Sequence, residues 1–284
     1  MTQILKGAPA AAALTERAAA ISEELQKAGV MPTLAIVRVG AREDDLSYER
    51  GAGKRCEKAG IAVKNVVMPA DVTPEVFEKT LADVAADPAV HGILLFRPLP
   101  KHLDEARACA MIPPEKDVDG CTELSLAGVF TGSGRGFAPC TARAVMEVLA
   151  HYGVELSGKR AAVIGRSLVI GRPVGQLLMR ANATVTTCHT RTQDVPAITR
   201  EADIVVCASG VMESVGKDYL APGQTVIDVG IGWNEEKQKL CGDLRAEEAD
   251  GLVAAYTPVP GGVGAVTTAV LALQTAEAAR RQTA

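Results

Sequence analysis

The sequence predicts an α/β protein built around a parallel, doubly wound sheet, and three observations carry that prediction. Short β-rich runs alternate with helical segments along the whole chain. A buried run, Ala161-Ala-Val-Ile164, meets a glycine turn at Gly165 and then a helical pattern opening at Gly171. The chain also changes character near residue 140, where an irregular glycine-rich stretch gives way to a second regular series.

The first series opens with a helix from about Ala11 to Lys27, followed by the strand Thr33–Val39. A helix around Ser47 to Ala59 stops at Gly60, a residue suited to the left-handed position after a helix. The strand Ile61 to Met68 comes next. Thr73-Pro74 then opens a helix to about Ala86, with proline at its first position. The buried strand Gly92–Phe96 ends at Arg97-Pro98-Leu99-Pro100, where proline removes the ladder donor. Pro113 to Cys121 reads as a charged turn, and an irregular stretch runs on to Pro139-Cys140-Thr141. A helix leads from Thr141 to Gly153.

The second series holds the strands Ala183–Cys188, Ala202–Ala208 and Thr225–Ile231 after the first glycine turn. A rigid loop, Tyr256 to Gly264, precedes an amphipathic helix from about Ala265 to Arg280. A strand, a glycine turn and a helix start present backbone N–H groups and a positive dipole end to an anion. Some twenty residues beyond Ser167 the chain reads Cys188-His189-Thr190-Arg191-Thr192. NAD-binding units carry an Asp or Glu at that place for the ribose hydroxyl, and this segment has none. Arg191, with Arg166 nearby, suits a 2′-phosphate, so the expected cofactor is NADP.

Composition narrows the partners. The chain has 284 residues, 48% hydrophobic and 23% charged, enough for two folded domains. A net charge of -4 and 3% aromatic residues argue against nucleic-acid binding. No apolar run reaches membrane-spanning length, and a cytoplasmic location is expected. The 7 cysteines form no C-x-x-C pair and the 4 histidines no H-x-x-x-H pattern, so no metal site is expected.

Five segments in one order give the chain a family likeness: Pro98-Leu-Pro-Lys-His102, Lys116-Asp-Val-Asp-Gly120, Pro139-Cys-Thr141, Gly165-Arg-Ser167 with Cys188-His189, and Thr257 to Gly264. Over nearly its whole length the chain resembles the methylenetetrahydrofolate dehydrogenase/cyclohydrolase family. The resemblance implies two α/β lobes around a cleft, one of them Rossmann-type. It implies a folate-binding catalytic domain of residues 1–140 plus 265–284 and an NADP-binding domain of residues 141–264. It implies NADP-dependent oxidation of 5,10-methylenetetrahydrofolate to the methenyl form, hydrolysis of that product in most members, a tetrahydrofolate derivative as partner, and a homodimer. Tyr48 and Asp119 match the family's catalytic and substrate-binding positions. Tyr48 packs on the ring system, and Asp119 accepts from the adjacent N–H and amine of a pterin. Pro258, Gly261 and Gly262 match the loop beside the folate. Gly165, Arg166, Ser167, Thr190, Arg191 and Ile231 match the cofactor site.

Two positions depart from the family pattern. Ala52 stands where the family has its catalytic Lys, four residues after Tyr48, and Phe96 stands where it has Gln. Neither side chain can move a proton, and loss of a positioned acid–base group removes ~10²–10⁴-fold in rate. Lys54 lies about 200° around the helix from Ala52 and so points elsewhere, provided Gly51 and Gly53 leave the helix intact. The departures predict a dehydrogenase with weak or absent cyclohydrolase activity. The alternatives are the full bifunctional enzyme, a dehydrogenase for another small substrate, and a non-catalytic NADP-binding sensor.

Overall fold

Runs such as Leu34–Val37 and Ile204–Cys207 have no polar face, so the strands they form need cover on both sides. The computed structural model, which describes residues 1–283, buries both runs along their length. In chain order the first elements are β1 (Gln3–Ile4), α1 (Gly7–Lys27), β2 (Thr33–Val39), α2 (Glu43–Lys58), β3 (Ala62–Met68), α3 (Pro74–Ala86), β4 (Gly92–Leu95), α4 (Glu105–Met111), α5 (Glu123–Thr131) and α6 (Cys140–His151). They continue with β5 (Arg160–Ile164), α7 (Gly171–Arg180), β6 (Thr184–Cys188), α8 (Val195–Arg200), β7 (Ile204–Cys207), β8 (Thr225–Asp228), β9 (Gly232–Asn234), β10 (Lys239–Cys241), α9 (Ala246–Ala249), β11 (Ala255–Tyr256) and α10 (Gly264–Thr283).

The chain divides into two compact units, one of Met1–Ala11 with Thr141–Thr267 and one of Ala12–Cys140 with the residues from Thr268 on. The latter holds a three-stranded parallel sheet in the order β3-β2-β4. Phe77, Leu81 and Val84 of α3 pack with Val37, Ile93 and Leu95 to form its core. Thr73 caps α3 by accepting from the Val76 N–H, with Pro74 just inside. The other unit holds a six-stranded parallel sheet, β1-β11-β8-β7-β5-β6, and a separate antiparallel hairpin of β9 and β10.

The structure departs from the sequence expectations in four places. Met1–Ala11 belongs to the six-stranded unit rather than to a domain of residues 1–140, because β1 pairs in parallel with β11 and Leu5 N–H donates to the Tyr256 carbonyl at 2.8 Å. The later limit falls after Thr267 rather than after 264. The stretch read as irregular contains α5, and the residues before Pro113, to which no element was assigned, contain α4; the two are capped by Thr122 and Asp104, whose side chains accept from Ser125 and Arg107 N–H. Finally, α10 is not amphipathic. From Val266 to Ala279 almost every residue is buried, Gln274 and Thr275 included.

Candidate active site

The segment Lys116–Gly120 has five residues, and four of them are committed to holding the turn. Lys116 Nζ donates to the carbonyls of Ala85 and Asp87 at 2.9 and 2.7 Å, tying the turn to the end of α3. The Asp117 carboxylate is fully buried and accepts from Cys121 and Thr122 N–H at 2.9 and 2.8 Å. The Val118 carbonyl accepts from Gln274 Nε2 of α10 at 2.6 Å, and its methyls fill the space where a side chain on Gly92 would stand. Gly120 adopts φ +67°, and a Cβ there would lie 2.4 Å from the Pro139 nitrogen, so only glycine fits.

Asp119 is the residue left over. Its nearest charge is the Arg97 guanidinium, Nη2 to Oδ2 3.9 Å, and each side chain is 24% exposed. Burial pushes the Asp119 carboxyl up to about 6; Arg97 opposes that rise and Asp117 adds to it. A hydrogen bond with the Cys140 thiol also opposes the rise, and the carboxylate is largely ionised at neutral pH.

Tyr48 and Phe96 come together in the same unit, rings edge to face with centroids 6.0 Å apart. Tyr48 lies on α2, and Phe96 follows β4, its N–H donating to the Val37 carbonyl at 3.0 Å. The α2 helix continues unbroken through Gly51 and Gly53. Ala52, one turn beyond Tyr48 on the same face, is 1% exposed, whereas Arg50 and Lys54 are exposed. Position 52 therefore presents only a methyl group, and Lys54 does not replace the missing amine.

In the six-stranded unit the ends of β5 and β6 sit side by side, and Gly165 N–H donates to the Cys188 carbonyl at 2.9 Å. Gly165 adopts φ +135°, and a Cβ there would stand 2.1 Å from the Ala208 carbonyl oxygen. A Cβ on Gly171, at the start of α7, would stand 2.2 Å from the Gly165 carbonyl oxygen. Ser167 Oγ accepts from Ile170 N–H at 3.2 Å and shapes the turn between them. Arg166, Ser167, Thr190 and Arg191 are all exposed on these adjoining strand ends, and Ile231 is exposed just beyond β8. His189 is structural, since its Nδ1 accepts from Arg191 N–H at 3.1 Å. A backbone cradle that excludes side chains, a helix start and exposed guanidinium groups without a carboxylate at 188–192 fit a phosphorylated dinucleotide.

Pro258, Gly261 and Gly262 lie in this same unit, apart in sequence and unit from Tyr48 and Asp119. Their loop is tied by Gly7 N–H donating to the Gly261 carbonyl at 2.8 Å, and a Cβ on Gly262 would meet the Pro258 oxygen at 2.4 Å. Sequence reasoning missed two buried carboxylates that set the strand-end loops. Asp228 accepts from Gly230, Asp243 and Leu244 N–H at 3.0 to 3.1 Å. Asp243 accepts from Ser209 and Gly210 N–H at 2.6 and 3.0 Å. Asp228 is marked by a charge at the end of an apolar strand, a signal that could have found it. Asp243 carries no such mark. Among the described residues no three His, Cys, Asp or Glu side chains are grouped to hold a metal, and no helix is long and apolar enough to cross a membrane.

The strand order and the glycine turn define the class: a two-unit α/β protein with a Rossmann-like nucleotide-binding sheet. Residues 5–119 match the description "Tetrahydrofolate dehydrogenase/cyclohydrolase, catalytic domain", and residues 139–283 match its "NAD(P)-binding domain". The chain belongs to this tetrahydrofolate dehydrogenase/cyclohydrolase family. It is 49% identical over 279 residues to "Bifunctional protein FolD" of Carboxydothermus hydrogenoformans, covering 98% of this chain and 97% of that one. Among solved structures, the bifunctional FolD enzyme of Campylobacter jejuni superposes with a TM-score of 0.95 at 33% identity, covering 99% of both chains. The Trypanosoma brucei dehydrogenase-cyclohydrolase, solved with NADP and an inhibitor, gives a TM-score of 0.92 at 34% identity, covering 99% of this chain and 98% of that one.

Proposed function

We propose that this chain oxidises 5,10-methylenetetrahydrofolate to the 5,10-methenyl form with NADP and hydrolyses the product to 10-formyltetrahydrofolate. The observation that carries the folate reading is Asp119, the carboxylate of its turn that is not taken up by backbone N–H groups, 3.9 Å from Arg97 and in the same unit as the Tyr48–Phe96 pair. A single carboxylate accepts both the ring N–H and the exocyclic amine of a pterin. Tyr48 supplies an aromatic face for the ring, and Pro258 with Gly261 and Gly262 supplies a loop that a ligand can approach closely. Gly165, Ser167 and the α7 start would hold the dinucleotide phosphates, with Thr190 and Ile231 beside it. Arg166 and Arg191 would take the 2′-phosphate that separates NADP from NAD. When bound, NADP supplies the hydride acceptor. Hydride departure is assisted by a lone pair on the substrate's own nitrogen, so this chain needs no proton carrier for it.

The second activity rests on the relatives, whose printed names describe bifunctional enzymes. It has to run without a lysine at 52 or a glutamine at 96. The expectation of a weak or absent cyclohydrolase survives as a narrower reading, favoured by one observation: the 1% exposed methyl of Ala52 on the Tyr48 face. Two spectrophotometric rates decide between them. NADPH should form with methylenetetrahydrofolate in either case. Decay of methenyltetrahydrofolate clearly faster than buffer supports the bifunctional reading, and decay at the buffer rate leaves the dehydrogenase alone. The double variant Ala52→Lys with Phe96→Gln should raise methenyl decay by ~10²-fold or more over a chain that lacks the activity. NADP binding with no turnover of either folate would turn the reading to a sensor. A homodimer and a cytoplasmic location complete the proposal, tested by sedimentation and cell fractionation.

A further inference from the structure

Arg97 is not accounted for by the architecture around it. Its backbone is pinned: the carbonyl accepts from Arg42 Nη2 at 3.1 Å, and Arg42 is itself held by Asp45 at 2.7 to 2.9 Å. Two residues on, Leu99 N–H donates to Glu105 Oε2 at 2.8 Å, so the loop after β4 is fixed. The side chain is different. Among the described residues its buried Nε has no hydrogen-bond partner. Its Nη2 stops 3.9 Å from Asp119, too far for a hydrogen bond. The other groups facing the guanidinium are Glu105 and the thiols of Cys109 and Cys121. Natural proteins rarely leave a buried donor unpaired, so this one calls for an explanation.

A fork of N–H donors stands beside a carboxylate, and neither consumes the other. Such a pair is complementary to a ring edge that carries an acceptor next to donors. A pterin has that edge, with the C4 carbonyl, the N3–H and the 2-amino group in a row. We propose that Arg97 is a substrate-binding, specificity-determining residue whose guanidinium donates to the C4 carbonyl oxygen of the pterin while Asp119 accepts from N3–H and the 2-amine. The inference rests on the folate reading of Asp119 given above. It adds a cation that selects for a carbonyl at C4. The Arg42–Asp45 pair and the Leu99–Glu105 bond then serve to hold that fork in register with the carboxylate.

The test uses the full-length chain and its Arg97→Met and Arg97→Gln variants, with calorimetric titration at pH 8. The probes are tetrahydrofolate and its 4-amino-4-deoxy counterpart, in which an amine replaces the carbonyl and N3 no longer carries a proton. Wild type should favour the 4-oxo ligand by roughly 10- to 100-fold, the worth of one charge-assisted hydrogen bond. Both variants should lower that ratio by roughly 10-fold, leaving the part that Asp119 contributes through N3–H, with NADP affinity and melting temperature unchanged. A variant that is folded and keeps the wild-type ratio overturns the proposal and leaves the folate reading standing. A wild-type chain that binds NADP but neither pterin overturns both. Should Arg97→Met fail to fold, Arg97→Gln decides the matter alone, because its neutral amide keeps the stem yet offers donor and acceptor equally.

Discussion

The turn Lys116–Gly120 is closed by side chains, whereas the turn Gly165–Gly171 is closed by backbone. In the first, a lysine, an aspartate and a distant glutamine bind carbonyls and N–H groups, and Asp119 takes no part in that closure. In the second, two glycines let carbonyl oxygens approach to where a Cβ would stand, and the charged residues remain on the surface. The difference teaches that a ligand-binding turn can be specified in two ways. Steric exclusion writes itself into the sequence as glycine spacing. Side-chain closure leaves a charged motif whose members look alike until their partners are counted.

That contrast can be broken most severely at Gly165. The Gly165→Ala variant places a methyl 2.1 Å from the Ala208 oxygen at φ +135°. It should cost on the order of 3 kcal/mol or more and weaken NADP binding beyond ~10²-fold. Melting and cofactor titration read both, and a variant that binds NADP normally would show that the cradle is not needed.

Next in size is the pair of acids in the other turn, which should respond with opposite signs. Asp119→Asn should lower kcat/KM for the folate by roughly 10²-fold, since the neutral amide cannot accept two N–H bonds at once. It should also stabilise the fold at pH 7 by ~1–3 kcal/mol. The sign follows from the raised folded-state value of about 6. A group whose proton is held more tightly in the folded state contributes stability below about 4, and that contribution is lost as pH rises through 6. The Asn side chain keeps it throughout, so the gain should vanish in melts at pH 4. Asp117→Asn, two residues away, should instead destabilise by ~1–3 kcal/mol, because one of two buried N–H groups loses its acceptor. Equal signs for the two variants would undo the distinction between them. The smallest effect is expected at the exposed rim of the glycine turn. Arg191→Ala should reduce the preference for NADP over NAD by ~10-fold, measured as the ratio of initial rates.

Much of this arrangement was legible beforehand, and the exceptions have physical causes. The strands β2, β4, β5 and β7 are apolar runs bounded by turn residues, which is what parallel strands buried on both faces must be. The helix α5 falls in a stretch read as irregular because glycine and proline surround it, and the short α4 received no assignment. Their caps, Asp104 and Thr122, were the available signal. The first strand escaped because two residues carry no periodicity, and only pairing with β11 makes Gln3–Ile4 a strand. Of the candidate site, the glycine turn could be picked out by spacing, and Tyr48, Asp119 and Ala52 by the family resemblance. The environment of Arg97 and the loop-setting roles of Asp228 and Asp243 could not.

By itself the sequence determined the α/β class, the family, the glycine turn and the absence of a lysine at 52, because each depends on residue type and local spacing. Only the tertiary structure showed that the Asp117 carboxylate is taken up by the N–H groups of Cys121 and Thr122. It also decided that α10 is buried almost all round and that, among the described residues, the Arg97 Nε has no hydrogen-bond partner. The reason is that hydrogen-bond commitment is settled between segments far apart in the chain. Gln274 reaches Val118 across 156 positions, and no local pattern records that bond.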